Sequence, residues 1–231
     1  MAATSMSLAR AAANGCYEAS RAAALSGVPK TTVYWWASHR IVIPSVSPVR
    51  EKLWSYSDLM ALRVVSWLRH PKRREKSDDL PASPMPRVRQ ALSMLDELGL
   101  GLWTPDDPHD SPLLVDKSGE IFVRTRDDVL NLQGQPSLLS SDILGLTAPF
   151  RQAGEEGPDL IRPRPHLRIV PTKVAGEPHI QDSRVTTQTV AALAARGFLA
   201  EQIASMYSVG TEAVSEGIDL ERQLSGVPLV A

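Results

Sequence analysis

Two stretches of this chain share one spacing, and the spacing is demanding. In the first, Ala23 is followed at fixed offsets by Gly27, Val28 and Val33; in the second, Ala204 is followed at the same offsets by Ser208, Val209 and Val214. A helix-turn-helix needs a small residue where its helices cross. It also needs a residue tolerant of positive φ in the turn, and branched side chains that lock the second helix onto the first. The first stretch meets all three needs, and the second suggests another unit of the same kind.

The residues around the first unit bear on what it does. Ala-rich residues 18–25 read as a helix broken at Ser26–Pro29, and Thr31 or Thr32 can open a second helix to about His39. That second helix turns Val33, Trp36 and Ala37 inward and leaves Thr31, Thr32, Tyr34 and Trp35 toward the exposed side. Its hydroxyls and N-terminal N–H groups suit phosphate oxygens. The alternative is that all three aromatics fill the core of a small domain. Residues 41–54 predict a short hairpin whose basic tip carries Arg50 and Lys52. Ser55 or Ser57 then caps a third helix with Asp58 in its first turn and Arg69 near its end.

Charge is distributed unevenly. The net charge is −1, yet residues 21–76 hold 11 Lys/Arg against 3 Asp/Glu, and residues 96–159 hold 4 against 13. A basic first block suggests a polyanionic partner, and an acidic middle is repelled by the same surface. The 231 residues, 43% of them hydrophobic, allow one large domain or two to three small ones. No apolar run reaches a membrane span, and the Ala- and Ser-rich start lacks the apolar centre of a secretory signal. A lone Cys16 excludes an internal disulfide and fits a reducing cytoplasm.

Further along, residues 71–86 and 151–165 read as Pro-rich linkers. Residues 87–98 predict an amphipathic helix, 113–123 a hairpin around a polar turn, and 126–146 short helices. Short strands at 168–170 and 179–181 and helices at 186–196, 199–207 and 211–224 complete the reading. The expected fold is mainly α with short β-hairpins. It comprises a winged helix-turn-helix domain over 1–75, a small α+β acidic segment over 76–160, and a helix-turn-helix-like domain over 161–231.

Two resemblances sharpen this. Tyr17, Leu25-Ser26-Gly27-Val28, Thr32, Trp35-Trp36, Ile41-Val42, Pro44, Lys52, Trp54-Ser55 and Asp58-Leu59 resemble the winged helix-turn-helix of the MerR family. The match runs over residues 17–70, but Thr31 and Tyr34 stand where that family often has Arg, and Arg50 where it has Gly. Ile169, Gly176, Pro178, Ile180, Arg184, Val185, Gly197, Ile203, Tyr207 and Val214 resemble a small antitoxin domain, long catalogued as a domain of unknown function and found beside PIN-like toxins. Asp182-Ser183 replaces its usual Gly-Thr.

Together the two resemble the larger VapB-type antitoxins. That resemblance implies a protein that represses its own operon as a homodimer on double-stranded DNA and silences a PIN-like ribonuclease. The DNA-contact residues expected on this reading are Lys30, Thr31, Thr32, Tyr34, Trp35, Arg40, Arg50, Lys52 and Trp54. The competing readings are a one-component transcriptional regulator with a ligand- or protein-binding C-terminal region, and a protein scaffold without a DNA role. No catalytic constellation, cofactor loop or metal-ligand spacing stands out. The five His are scattered, and Asp106, Asp107 and Asp110 read as a solvated loop, so a non-enzymatic protein without cofactor is expected.

Overall fold

The computed structural model describes residues 14–71, 81–101, 112–116, 118–136, 142–143, 150–152 and 155–226. In chain order the described elements are β1 (Tyr17–Glu18), α1 (Ala19–Ser26), α2 (Lys30–Ser38), β2 (Leu53–Trp54), α3 (Tyr56–Arg69), α4 (Met85–Glu97), β3 (Leu113–Val115), β4 (Ile121–Arg124), β5 (Val129–Asn131), β6 (Asp142–Ile143), β7 (Phe150–Gln152), β8 (Glu155–Gly157), β9 (Leu167–Arg168), β10 (His179–Ile180), α5 (Thr187–Ala195), α6 (Ala200–Tyr207) and α7 (Thr211–Ser225). The fold is mainly α with small antiparallel sheets. None of the described helices is long and apolar enough to cross a membrane. The chain divides into two compact units, Met1–Leu59 with Pro149–Ala231, and Met60–Ala148.

The first unit is built from both ends of the described chain. Strand β1 pairs antiparallel with β2, Tyr17 opposite Trp54, and β9 pairs with β10. The N-terminal and C-terminal segments meet through specific polar contacts. The Tyr17 hydroxyl donates to the Gly176 carbonyl at 2.7 Å, and the Cys16 N–H donates to the Ala175 carbonyl at 3.0 Å. Arg21 forks onto both oxygens of Glu221 at 2.8 and 2.9 Å and donates through Nε to Glu177 at 2.8 Å. Thr187 adds its own hydroxyl to Glu221. Burial pulls the Arg21 pKa down, the two carboxylates push it up, and the net is a rise. Burial pushes Glu177 up, and Arg21 offsets this only in part.

Both expected helix-turn-helix spacings fold into one backbone form. Gly27 ends α1 in the left-handed region at φ 72°, and Ser208 ends α6 there at φ 53°. The next residue reaches back five positions in each case, Val28 N–H to Ala23 O at 3.1 Å and Val209 N–H to Ala204 O at 3.0 Å. Ala23, Val33, Ala204 and Val214 are all buried. Helix α5 crosses α7 at Gly217, where an added Cβ meets Val190 Cγ2 at 2.9 Å, so the small residue sets how closely these helices approach.

The second unit is a four-stranded sheet in the order β5-β4-β3-β6 with α4 packed on β4. Val88, Ala91 and Leu95 of α4 are buried, as are Leu113, Val115, Ile121 and Val123. The turn of the β3–β4 hairpin forms because Asp116 Oδ1 accepts from Ser118 N, Ser118 Oγ and Glu120 N.

Three expectations are corrected. The short helices expected over 126–146 are strands β5 and β6 where that stretch is described, because Val129–Asn131 pairs with Phe122–Arg124 of β4. The Pro-rich stretch 151–165 is not all linker, since β7 and β8 pair with each other. The hairpin expected over 41–54 is reduced to one bridge, Ser47 with Leu53, closed by reciprocal hydrogen bonds of 3.1 and 2.9 Å. Pro44 and Pro48 remove donors from that arm, so a longer ladder cannot extend. Leu53 also pairs with Glu18 of β1. The linker residues 72–80 and the acidic loop with Asp106, Asp107 and Asp110 lie outside the described residues.

Gly176 has φ +79°, and a Cβ there overlaps the Tyr17 hydroxyl. Gly176→Ala is expected to lower stability by about 2 kcal/mol, from left-handed strain and a displaced hydrogen bond. Urea unfolding of the full chain measures this, and Gly197→Ala serves as the comparison. Gly197 also has positive φ but no atom within 4 Å of its added Cβ, so only the strain component is expected there.

Candidate nucleic-acid interface

Helix α2 divides its residues cleanly between two faces. Val33, Trp36 and Ala37 are buried, Trp36 being 4% exposed, whereas Tyr34 is 44% and Trp35 45% exposed. Thr31, Tyr34, Trp35 and Ser38 fall at i, i+3, i+4 and i+7 and share the outward stripe. Thr32 is half-buried beside it, and Lys30 opens the helix fully exposed. The N-cap is Pro29, which makes no side-chain cap, so Thr31 and Thr32 lie inside the first turn and do not cap it.

The outward side chains are held in place. Trp35 stacks on His39 with ring centroids 4.1 Å apart and planes 24° from parallel. His39 Nδ1 lies 2.9 Å from the Trp35 carbonyl oxygen, which fixes the stack to the end of the helix. Ser38 spends its hydroxyl proton on the Tyr34 and Trp35 carbonyls, both at 3.0 Å. Tyr34 meets Trp54 edge-on at 6.1 Å.

Trp54 is fully buried, with its indole Nε1 lacking a hydrogen-bond partner among the described residues. The side chain expected at the surface is therefore a core residue that supports Tyr34 from below. The sequence carried a signal for this, because Trp54 directly precedes the helix-capping Ser55 and starts an apolar run with Tyr56, Leu59 and Met60.

Arg40 occupies an unusual backbone position. Its φ is +56°, and it follows the last turn of α2 in a Schellman arrangement. Arg40 N–H donates to Ala37 O at 3.2 Å, and Ile41 N–H to Trp36 O at 2.9 Å. Glycine is the usual residue at this position, so an exposed arginine is retained there at a conformational cost of about 1 kcal/mol. The expected contact residue Arg40 thus sits on a strained backbone that its residue type does not signal.

Beyond it, the loop with exposed Arg50 and half-buried Lys52 is anchored by Asp58. Asp58 accepts from Ser55 N at 2.7 Å, Ser45 N at 2.9 Å and Ser45 Oγ at 2.8 Å, while Ser55 Oγ accepts from Asp58 N at 3.2 Å. Ser55 and Asp58 thus form a capping box that also holds the loop. Burial raises the Asp58 pKa, and hydrogen bonds from Ser45 and Ser55 counter that without reversing it.

The basic block contributes less free charge than its count implies. Arg21 is spent in ion pairs, Arg63 is 1% exposed, and Arg69 donates to the Ser83 carbonyl at 2.9 Å. Lys72, Arg73, Arg74 and Lys76 lie outside the described residues. Lys30, Arg40, Arg50 and Lys52 remain as the cations of the first unit's α2 helix and adjoining loop.

The second repeat presents a different surface on the same backbone. The positions matching Thr31, Tyr34, Trp35 and Ser38 are Glu212, Ser215, Glu216 and Asp219. This acidic stripe is engaged by the chain itself. His166 N and Nδ1 lie 2.8 Å from the two Glu216 oxygens, and Arg164 Nη2 lies 3.1 Å from Asp219 Oδ2 and 2.7 Å from Gln223 Oε1. A phosphate backbone is repelled there. Among the described residues no three His, Cys, Asp or Glu side chains converge on a metal position.

The division of α2 has a direct check. Trp36→Ala is expected to cost about 3–5 kcal/mol and Trp35→Ala less than about 0.5 kcal/mol, because only the first empties a packed site. Chemical denaturation of the two variants side by side measures the contrast.

Residues 168–219 match the family model described as "Protein of unknown function (DUF433)". These residues run from β9 into α7 and contain the second repeat. The chain is also similar to Rv2018 from Mycobacterium tuberculosis, known from an X-ray crystal structure. The two share 19% identity over 88% of this chain and 96% of that one, with a TM-score of 0.50. At that identity the likeness concerns the fold alone. No curated protein matches the chain.

Proposed function

We propose that the protein is a non-enzymatic DNA-binding antitoxin. It represses its own operon through a winged helix-turn-helix in its N-terminal part and neutralises a PIN-like ribonuclease through its C-terminal part. The observation that carries the DNA reading is α2. One face is packed into the core, and the other presents Thr31, Tyr34 and Trp35 between Lys30 and Arg40, with Arg50 on the adjoining loop. Arg40 adds an exposed cation directly after α2. Trp54 is a positioning residue behind Tyr34.

The antitoxin reading is supported by the DUF433 match and by the acidic outward positions of the second repeat, which disfavour a phosphate backbone there. One reading helix covers too few base pairs for a useful specificity ratio, so the protein acts as a homodimer on double-stranded DNA.

Four cations set the electrostatic part of binding. The slope of log K against log salt is expected to be at most about −4 per copy, and each of Lys30→Ala, Arg40→Ala and Arg50→Ala to lower its magnitude by about one. Arg40→Gly separates function from folding, because it is expected to stabilise the protein by about 1 kcal/mol while weakening DNA binding. Salt-dependent binding to the protein's own upstream region, with denaturation in parallel, measures both. Co-expression with the adjacent gene product tests the second activity. A neighbour that is harmless alone, or that neither co-purifies nor is rescued, removes the antitoxin reading and leaves a transcriptional regulator.

A further inference from the structure

We infer that the outward face of α2 reads thymine through its 5-methyl group rather than reading guanine or adenine through hydrogen bonds. The inference rests on the DNA-binding reading above and names the base that this helix recognises. In the major groove, guanine is read by Arg or Lys, adenine by Asn or Gln, and cytosine by a carboxylate. Thymine is distinguished by apolar contact with its methyl group. The outward stripe of α2 holds Thr31, Tyr34, Trp35 and Ser38, and it contains no guanidinium, amide or carboxylate.

Ser38 has its proton committed to the Tyr34 and Trp35 carbonyls, so it is a poor donor to a base edge. Besides the Thr31 and Tyr34 hydroxyls, which suit phosphate oxygens, the stripe offers the Thr31 methyl and two broad aromatic surfaces, Tyr34 at 44% and Trp35 at 45% exposure. These faces are fixed before DNA arrives. His39 stacks under Trp35 at 4.1 Å, and Trp54 supports Tyr34 at 6.1 Å. A pre-set apolar surface loses little side-chain freedom on contact.

The dimensions agree. From Thr31 to Ser38 the helix rises roughly 10 Å, about three base-pair steps of 3.4 Å. The cations stand at the ends of this stripe, Lys30 before it and Arg40 after it. They flank the aromatic surface in the way phosphate contacts flank a base-reading element. Contacts of that kind set position and not sequence.

The test uses the full chain and two random-sequence duplex libraries, one built with thymine and one with deoxyuridine, which pairs identically but lacks the methyl group. Selection from the thymine library is expected to enrich adjacent thymines. Replacing those thymines with deoxyuridine in the selected duplex is expected to weaken binding about fourfold per contacted methyl. Tyr34→Ala and Trp35→Ala are each expected to narrow the difference between the two duplexes by about the fourfold of one methyl contact. Lys30→Ala is expected to weaken both while preserving their ratio.

Retention of either library at low salt, with thymine and deoxyuridine duplexes bound equally well by the unaltered chain, overturns the methyl reading and leaves DNA binding standing. Unchanged discrimination in both Tyr34→Ala and Trp35→Ala overturns it as well, because the methyl group is then sensed elsewhere. Absence of duplex binding at low salt overturns the DNA reading itself, and with it this inference.

Discussion

The Arg21 guanidinium joins three segments that are remote in sequence: helix α1, the turn at Glu177 and helix α7. Each of its carboxylate partners is largely shielded from water, with side-chain exposures of 18% for Glu177 and 12% for Glu221. Carboxylates in that setting carry a desolvation cost of several kcal/mol unless a cation with matching geometry satisfies them. The planar fork of arginine meets that requirement by taking both oxygens of Glu221 while Nε serves Glu177. Lysine is a point donor and cannot reproduce this. The placement of α1 therefore depends on the C-terminal repeat, and α1 in turn carries α2 through the Gly27 turn and the buried Val28 and Val33.

The two repeats separate what a backbone needs from what a surface does. Ala, a left-handed residue, and two Val reappear at the same offsets because crossing distance, turn geometry and helix locking leave few other solutions. Nothing in that list constrains the outward face. On α2 the outward positions became hydroxyl and aromatic, flanked by cations. On α7 they are acidic, and the chain's own Arg164 and His166 pair with Asp219 and Glu216. Fold repetition therefore does not imply repeated function, and what each repeat does depends on its own side chains.

The local features of the chain were legible from sequence. The turn at Gly27, its echo at Ser208, the helices around both and the Asp116 hairpin turn follow from residue type and spacing over fewer than fifteen positions. The inward set Val33, Trp36 and Ala37 followed from helical periodicity, and so did the outward Tyr34 and Trp35. Features set by distant pairing were not legible. Val129–Asn131 is a strand only because β4 offers it an open edge. Leu53–Trp54 keeps only one bridge to the expected hairpin and pairs with Tyr17–Glu18, more than thirty positions away. Trp54 is expected among the DNA contacts, whereas its pairing with Tyr17 puts it in the core. The strain at Arg40 has no sequence signature, since it comes from the Schellman bonds closing at that residue.

Residues 60–148 separate the two parts of the first unit, and that separation has a thermodynamic consequence. Closing a loop of about ninety residues costs roughly 4 kcal/mol of chain entropy, and the cost grows only logarithmically with loop length. The Tyr17–Gly176 hydrogen bond, the Arg21 fork and the apolar surface buried around Tyr17, Leu25 and Leu220 oppose it. Because the dependence on length is weak, an intervening unit of this size is tolerated almost as readily as a short one. The contacts between the two ends decide whether the first unit forms, and they are concentrated in a few residues: Cys16 and Tyr17 through backbone and hydroxyl, Arg21 through charge. A chain that loses them retains the local turn at Gly27 but loses the support that fixes α1, and with it the frame on which the exposed face of α2 is presented.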